Sequence, residues 1–378
     1  MIPAVPRTLR GPDCLKKLPL LLDKLQIRKP LIVGGKVLTA RLLRAVPQLL
    51  SSPVFSAYHP NPDLADAVAG ADLYRQQACD GLISIGGGSC MDTAKSIQAM
   101  LCADSMEDVL NSRLRTDRPI PHIAVPGTAG SGSEATQTAV VYVDHRKVSL
   151  NHPLLLPTGV ALDSSLLQSL PDYHRKSCAL DALCQGIESF WCASANDESR
   201  VHAYLAILGV LDNLRAYLAG DPHAAQEMLE ASYESGKAIQ ITRTTAAHAM
   251  SYQLTQTFGI AHGHACMLTL PELWDRMNRA GDMKPVLNHL SEIMRLGNPL
   301  MGPRLLKGIL YDLEMEIPVI QDEETLDRLV DSVNPERLGN HPVALSRDDL
   351  RWIYRVSLRK PTDAERQTCL DVWQYYGR

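Results

Sequence analysis

The feature that most constrains this chain is a change of periodicity part-way along it. Up to Asp163, short apolar or β-branched runs recur at 31–33, 54–58, 82–85, 122–125 and 139–143. Helical patterns lie between them, at 63–79 and 92–103, and two further short strands are expected at 147–151 and 159–162. Alternation of strand and helix predicts an α/β unit with a mainly parallel sheet. After Asp163 the strand-like runs nearly vanish. Amphipathic patterns take over at 174–195, 198–219, 223–245, 246–257, 263–279 and 284–295. The expectation is an α/β domain over 1–163 followed by an all-α domain over 164–378. The length of 378 residues accommodates both.

Composition narrows the function. Apolar residues make up 45% and charged residues 21%, which excludes a wholly disordered chain. The net charge of -4 lacks the basic excess of a dedicated nucleic-acid binder. No uncharged apolar run reaches the ~18 residues of a membrane span. Residues 1–19 have no apolar core of the signal-peptide kind, so a cytoplasmic protein is expected. The nine cysteines form no C-x-x-C, and all are expected to pack as small, reduced hydrophobes.

Two loops carry candidate chemistry. The run 82–85 leads into Gly86-Gly87-Gly88-Ser89 and then the helical Asp92-Thr93-Ala94-Lys95. A loop without Cβ atoms lets backbone N–H groups approach a phosphate, and the following helix start adds partial positive charge. The second loop, Gly127-Thr128-Ala129-Gly130-Ser131-Gly132-Ser133-Glu134, follows the run 122–125 and offers hydroxyls and backbone donors together. Two such loops at the carboxyl ends of parallel strands favour a pyrophosphate-bearing ligand.

A third constellation has metal-ligand character. Asp181 and Gln185 stand at i and i+4, on one helix face. His248 and His262 follow. A helix over 246–257 rises ~17 Å, and the return through Phe258 can span about as much if the chain reverses near Gly259. One carboxylate, two imidazoles and one amide oxygen would suit Fe(II) or Zn(II).

These motifs, in this order and spacing, resemble the iron-containing (group III) alcohol dehydrogenases. The matching residues are Gly86-Gly-Gly-Ser-x-x-Asp92-x-Ala-Lys95, Gly127 to Glu134, Lys147 with His152-Pro153, Asp181-Ala-Leu-x-Gln185-x-x-Glu188, and His248 with His262-Gly263. The segment Asn334-Pro-Glu-Arg-Leu-Gly-Asn340 is similar to the family's tail. The resemblance implies the dehydroquinate synthase-like architecture, with a dinucleotide-binding α/β domain and a helical metal- and substrate-binding domain. It implies NADPH or NADH bound by Gly35, Gly86, Gly87, Gly88, Ser89, Asp92, Thr128, Ser131, Thr136 and Lys147. It implies one divalent ion, Fe(II) with Zn(II) or Mn(II) as alternatives, held by Asp181, Gln185, His248 and His262. A homodimer is expected by the same likeness.

Three departures from the family pattern matter. Gln185 stands where the family usually has histidine, and an amide oxygen is the weaker ligand. Tyr252 stands where many members have a second active-site histidine. Gly34-Gly35 stand where many members have the acidic residue that favours NAD, so NADPH is expected to be tolerated. The stretch from Arg243 to Ala265 is similar to the phosphonoacetaldehyde reductase branch. The expected reaction is therefore reduction of a small anionic aldehyde, phosphonoacetaldehyde to 2-hydroxyethylphosphonate, with no nucleic-acid or membrane partner. Lys147, Tyr252 and His264 are the expected catalytic residues, and Arg243 and Thr244 the expected substrate contacts. The alternatives are a reductase of sulfoacetaldehyde or another small aldehyde or semialdehyde, a dehydroquinate-synthase-like lyase, and a non-catalytic nucleotide-binding homologue.

Overall fold

The computed structural model describes residues 6–117, 119–143 and 146–376. The first part runs β1 (Arg7–Arg10), α1 (Leu18–Leu25), β2 (Pro30–Gly34), α2 (Lys36–Ala45), β3 (Val54–Phe55), α3 (Leu64–Gln76), β4 (Gly81–Gly86), α4 (Gly88–Cys102), α5 (Met106–Leu110), β5 (His122–Pro126), β6 (Thr138–Val143), β7 (Arg146–Asn151) and β8 (Gly159–Leu162). Six strands form one sheet in the order β1-β8-β5-β4-β2-β3, with every pair parallel. The central strands β2, β4 and β5 are buried along their whole length, as a sheet covered on both faces requires. Alternate residues feed two cores. Leu31, Val33 and Leu82 pack with Ala67 and Ala71 of α3 and Ile97 of α4. Ile32, Ile83, Ile85, Ile123 and Val125 pack with Leu18, Leu21 and Leu22 of α1 and Leu42 of α2.

Two strands depart from a simple alternation. β6 and β7 do not join the sheet but pair with each other, antiparallel, from Thr138↔Asn151 to Val143↔Arg146. Ala139 and Val141 of β6 and Leu150 of β7 are buried and the other residues are half-buried or exposed, the pattern of a hairpin with one covered face. β1, Arg-Thr-Leu-Arg, has a single apolar residue, Leu9, and so gives little strand signal in the sequence. It is held as an edge strand by its register on β8.

The second part is helical: α6 (Asp172–Trp191), α7 (Asp197–Leu218), α8 (Pro222–Thr242), α9 (Ala246–Phe258), α10 (His262–Asn278), α11 (Lys284–Ile293), α12 (Gly302–Asp312), α13 (Glu323–Asp331), α14 (Pro335–Leu338), α15 (Arg347–Ser357) and α16 (Asp363–Tyr375). Among the described residues, one compact unit runs to Leu170 and takes in Ala219–Gly236. The other comprises Pro171–Leu218 and the chain from Lys237 onward. This differs from a single cut between 163 and 164 for two reasons. Leu166, on the short turn after Asp163, packs into the first unit's core. The first part of α8 also lies against the second glycine loop. Gly132, at φ 58°, and Gly236 touch backbone to backbone, and a Cβ built on Gly236 would lie 2.2 Å from the Gly132 carbonyl oxygen.

Candidate functional site

In the α/β unit, consecutive crossovers leave β2 toward β3 and β4 toward β5, in opposite directions along the sheet. The carboxyl ends of β2 and β4 therefore flank the switch point where open parallel sheets bind ligands. Gly35 is the residue before α2 and Gly87 the residue before α4; neither helix start has a side-chain cap. Their first-turn N–H groups are thus left to other acceptors, and α4 adds the partial charge of a 15-residue helix. The loops are closely fitted. A Cβ on Gly86 would meet the Cys90 Cβ at 2.6 Å, one on Gly87 the Thr128 Cγ2 at 3.2 Å, and one on Gly88 the Ser131 Oγ at 3.1 Å. Thr128 and Ser131 thus stand beside the Gly87-Gly88 turn.

Other members of the predicted cofactor set serve the scaffold. The Ser89 hydroxyl donates to the Pro60 carbonyl. Asp92 is half-buried; desolvation of its carboxylate raises its pKa, and it accepts from Ser133 Oγ at 3.0 Å and Val140 N at 3.2 Å. Lys147 on β7 is near enough to favour the Asp92 charge. The Thr136 hydroxyl, expected to face the cofactor, lies 3.0 Å from Lys95 Nζ. Lys95 is the anchor of this loop. Its ammonium is fully buried and donates to Ser133 O at 2.6 Å, Thr136 O at 2.7 Å and Thr138 O at 2.9 Å. Burial pulls its pKa down to about 8, although Asp92 and Glu134 favour the charge. A lysine on a buried helix face with three carbonyls to satisfy was visible in the sequence only as part of a motif.

The helical unit builds its site from side chains. Asp181, Gln185 and Glu188 follow one another at four- and three-residue spacing on one face of α6, and all three are buried. Gly263 brings α10 against that helix: a Cβ there would lie 2.0 Å from the Ser177 carbonyl and 2.7 Å from the Asp181 Cβ. Only glycine permits this approach, and it carries the neighbouring His262 toward Asp181. Gly259, in the left-handed conformation at φ 66°, ends α9 and allows the chain to reverse between the two histidines.

Glu188 fixes the start of α9. Its Oε1 accepts from Thr245 N at 3.1 Å, Ala247 N at 2.9 Å and Thr245 Oγ1 at 2.7 Å. A carboxylate from another helix thus satisfies donors that the N-cap Thr245 leaves open. Its Oε2 bonds His248 Nδ1. The carboxylate therefore orients the imidazole through Nδ1 and turns Nε2 toward Asp181. His262 is set the same way. Ser251 Oγ gives its proton to the His248 carbonyl at 2.8 Å, so at 3.2 Å it can only accept from His262 Nδ1.

One ligand atom each from Asp181, His248, His262 and Cys266 lies within 4.8 Å of the others. Asp181 Oδ1 and His248 Nε2 are buried, 3.3 Å apart, and neither has a hydrogen-bond partner. Two buried polar atoms left without a hydrogen bond, with a second imidazole and a thiol beside them, fit a divalent cation. Burial would raise the pKa of Cys266, yet His248 and His262 outweigh it and bring the thiol to about 7. Cys266 corrects the expectation that every cysteine only packs. The overlooked signal is its spacing: it stands four residues after His262, on the same helix face. Gln185 is buried one turn beyond Asp181.

The remaining candidates separate. Tyr252, four residues after His248, stacks on His262 with ring centroids 5.8 Å apart and planes 7° apart. Burial raises its pKa despite Arg337, whose Nη1 donates to the Tyr252 hydroxyl at 3.0 Å. Arg337 was seen only as part of a family-like tail. His264 is placed differently from the expectation. Two residues beyond His262, it leaves α10 on another side, is fully buried, and bonds Tyr173 Oη through Nδ1 at 3.1 Å. Burial drives its pKa down to about 4, so it is a neutral packing residue outside the ligand group. Arg243 is exposed and left-handed at φ 66°, and Thr244 offers its carbonyl to Asn340 Nδ2 at 3.2 Å.

Comparison with known proteins now decides the family. The iron-containing alcohol dehydrogenase profile matches residues 6–164, and the profile of that family's C-terminal part matches 177–300. The chain belongs to the iron-containing alcohol dehydrogenase family. It is 36% identical over 228 residues to a phosphonoacetaldehyde reductase of Streptomyces viridochromogenes. That match spans 57% of this chain and only 58% of the relative. A choline dehydrogenase of Bacillus subtilis is 27% identical over 80% of this chain and 79% of its own. Among solved structures, a sulfoacetaldehyde reductase from Bifidobacterium kashiwanohense in complex with NAD+ superposes with a TM-score of 0.86 at 26% identity, over 95% of this chain and 98% of that one. Membership places the chain in a family of oxidoreductases that use NAD(P) and a metal. The α/β plus all-α architecture expected from the sequence is the one found. Among the described residues, no helix is long and apolar enough to cross a membrane.

Proposed function

We propose that this iron-containing alcohol dehydrogenase is an NAD(P)H-linked reductase of a small anionic aldehyde, phosphonoacetaldehyde in the first instance. The observation that carries the reading is the convergence of Asp181, His248 and His262 beneath Tyr252. The 36% identity to a phosphonoacetaldehyde reductase supports the substrate class. We assign Asp181, His248 and His262, with Gln185 and Cys266 beside them, to a divalent cation, Fe(II) or else Zn(II) or Mn(II). When bound, the cation supplies a Lewis acid to the carbonyl oxygen and the nicotinamide supplies the hydride.

The protein's own residues do the rest. Glu188 and Ser251 hold both imidazoles with Nε2 presented and Nδ1 protonated. Tyr252 keeps its proton at neutral pH because burial raises its pKa, so it acts as donor to the developing alkoxide. The Gly35, Gly86, Gly87 and Gly88 backbone, with Thr128 and Ser131, receives the pyrophosphate, and Lys147 the nicotinamide ribose. No acidic side chain stands at Gly34-Gly35, so NADPH is accepted as well as NADH. The protein is proposed to work in the cytoplasm as a homodimer, which size-exclusion chromatography with light scattering would check.

The test is cofactor oxidation by the full chain loaded in turn with Fe(II), Zn(II) and Mn(II). Phosphonoacetaldehyde is compared with sulfoacetaldehyde and propionaldehyde. A clear kcat/KM preference for phosphonoacetaldehyde is expected. Equal rates on propionaldehyde would remove the anionic substrate and leave the dehydrogenase; silence with every aldehyde and metal would remove the reductase.

A further inference from the structure

We propose that Arg337, seated on Tyr252, forms an oxyanion-binding subsite that takes the charged end of the substrate. This rests on the reductase reading above and deepens it. The guanidinium is fixed in two ways. Its Nη1 donates to the Tyr252 hydroxyl at 3.0 Å, and its central carbon lies 5.5 Å from the Tyr252 ring centroid. Tyr252 in turn lies flat on His262, one of the four residues of the ligand group. A cation is thereby tied, through one aromatic ring, to the centre where a carbonyl would be polarised.

The chemistry matches. A guanidinium presents N–H groups in a planar fork that suits phosphonate, sulfonate or carboxylate. In a two-carbon aldehyde the anionic oxygens lie roughly 5 Å from the carbonyl oxygen, and a hydrogen bond adds about 2.8 Å. The two steps from His262 to Tyr252 and on to Arg337, 5.8 and 5.5 Å between centres, set an upper limit on the separation the substrate has to bridge. Arg243, the cation that sequence proximity favours, is an exposed left-handed residue just after α8. Arg337 stands 75 or more positions downstream of both histidines and on its own short helix, so only the fold reveals it.

The test uses the metal-loaded full chain and two readouts. The first is calorimetric titration with phosphonoacetate, which carries the phosphonate but no reducible aldehyde. The second is the ratio of kcat/KM for phosphonoacetaldehyde over propionaldehyde. Arg337→Gln is expected to weaken phosphonoacetate by about 10- to 150-fold and to lower the ratio by a similar factor. Arg337→Lys keeps a charge without the fork and is expected to fall between. Metal content and thermal midpoint of each variant show that it is folded and loaded. Unchanged phosphonoacetate affinity in Arg337→Gln, no phosphonoacetate binding by the unaltered protein, or equal losses on both aldehydes would overturn the subsite. If no aldehyde is reduced at all, the reductase reading fails, while the titration still decides whether Arg337 holds an oxyanion.

Discussion

The two compact units prepare their candidate sites by opposite means. In the α/β unit the binding surface is backbone: glycines at the ends of β2 and β4, and helix starts left without side-chain caps. Side chains there, Lys95 above all, hold the loop from behind. In the helical unit the surface is side chain: four ligand atoms from α6, α9 and α10, each imidazole aimed by a partner. A backbone site is lost by adding atoms. A side-chain site is lost by removing or re-aiming them. The two should therefore fail separately, and in different observables.

The largest effect is expected in the helical unit. Asp181→Ala should abolish stoichiometric metal and cut turnover by about a thousandfold or more, with nucleotide binding retained. Metal analysis together with NADPH fluorescence titration checks both halves; loss of nucleotide binding as well would break the separation. Next is Gly263→Ala. The added methyl meets the Ser177 carbonyl and must push α10 away from α6, at a cost of ~2–4 kcal/mol in urea unfolding and with metal lost. An unchanged midpoint would mean that the crossing is looser than its contacts. Glu188→Gln should lower metal affinity by about 10- to 100-fold, because His248 loses the carboxylate that orients it. Competition with a chelator measures it, and an effect below twofold would refute the orienting role.

Smaller effects belong to the α/β unit. Gly87→Ala has a tolerable neighbour in Thr128, so the fold should persist. The extra methyl should raise KM for NADPH by about tenfold and leave metal content alone. The smallest expected effect is a pH dependence. Burial, helped by the Lys95 charge, holds His122 neutral in the folded state, with its pKa down at about 3. An unfolded histidine titrates near 6.5. Between those values the unfolded chain binds a proton that the folded chain refuses. Stability is therefore fully present above about pH 6.5 and declines as pH falls toward 3. Urea midpoints from about pH 7.5 to about pH 4.5 should fall, and His122→Gln should flatten part of that slope.

What the sequence made legible follows the same division. The two-texture reading, the buried strands and the helices α6 to α11 were all signalled by period and run length. The start of α4 was placed late, because Gly88 is a poor helix former that becomes the first helical residue only in context. The glycine loops were readable because a missing Cβ is a local property. Asp181, His248 and His262 were readable as ligand types at plausible separations. Cys266 was missed because two of its companions, Asp181 and His248, lie on other helices, and composition argued for packing over its spacing from His262. His264 was over-read: adjacency to a ligand in sequence is not adjacency in space when a helix turns ~100° per residue. Arg337 was invisible as a site residue because nothing local links it to Tyr252.

The contact between Gly132 and Gly236 has an evolutionary consequence. Most tight crossings can drift, since one partner can shrink while the other grows. Here both partners already have the smallest side chain available, and each backbone occupies the space of the other's Cβ. No second-site change at either position can rescue a substitution at the other. The second glycine loop and the first part of α8 are thus locked to each other along every path of single mutations.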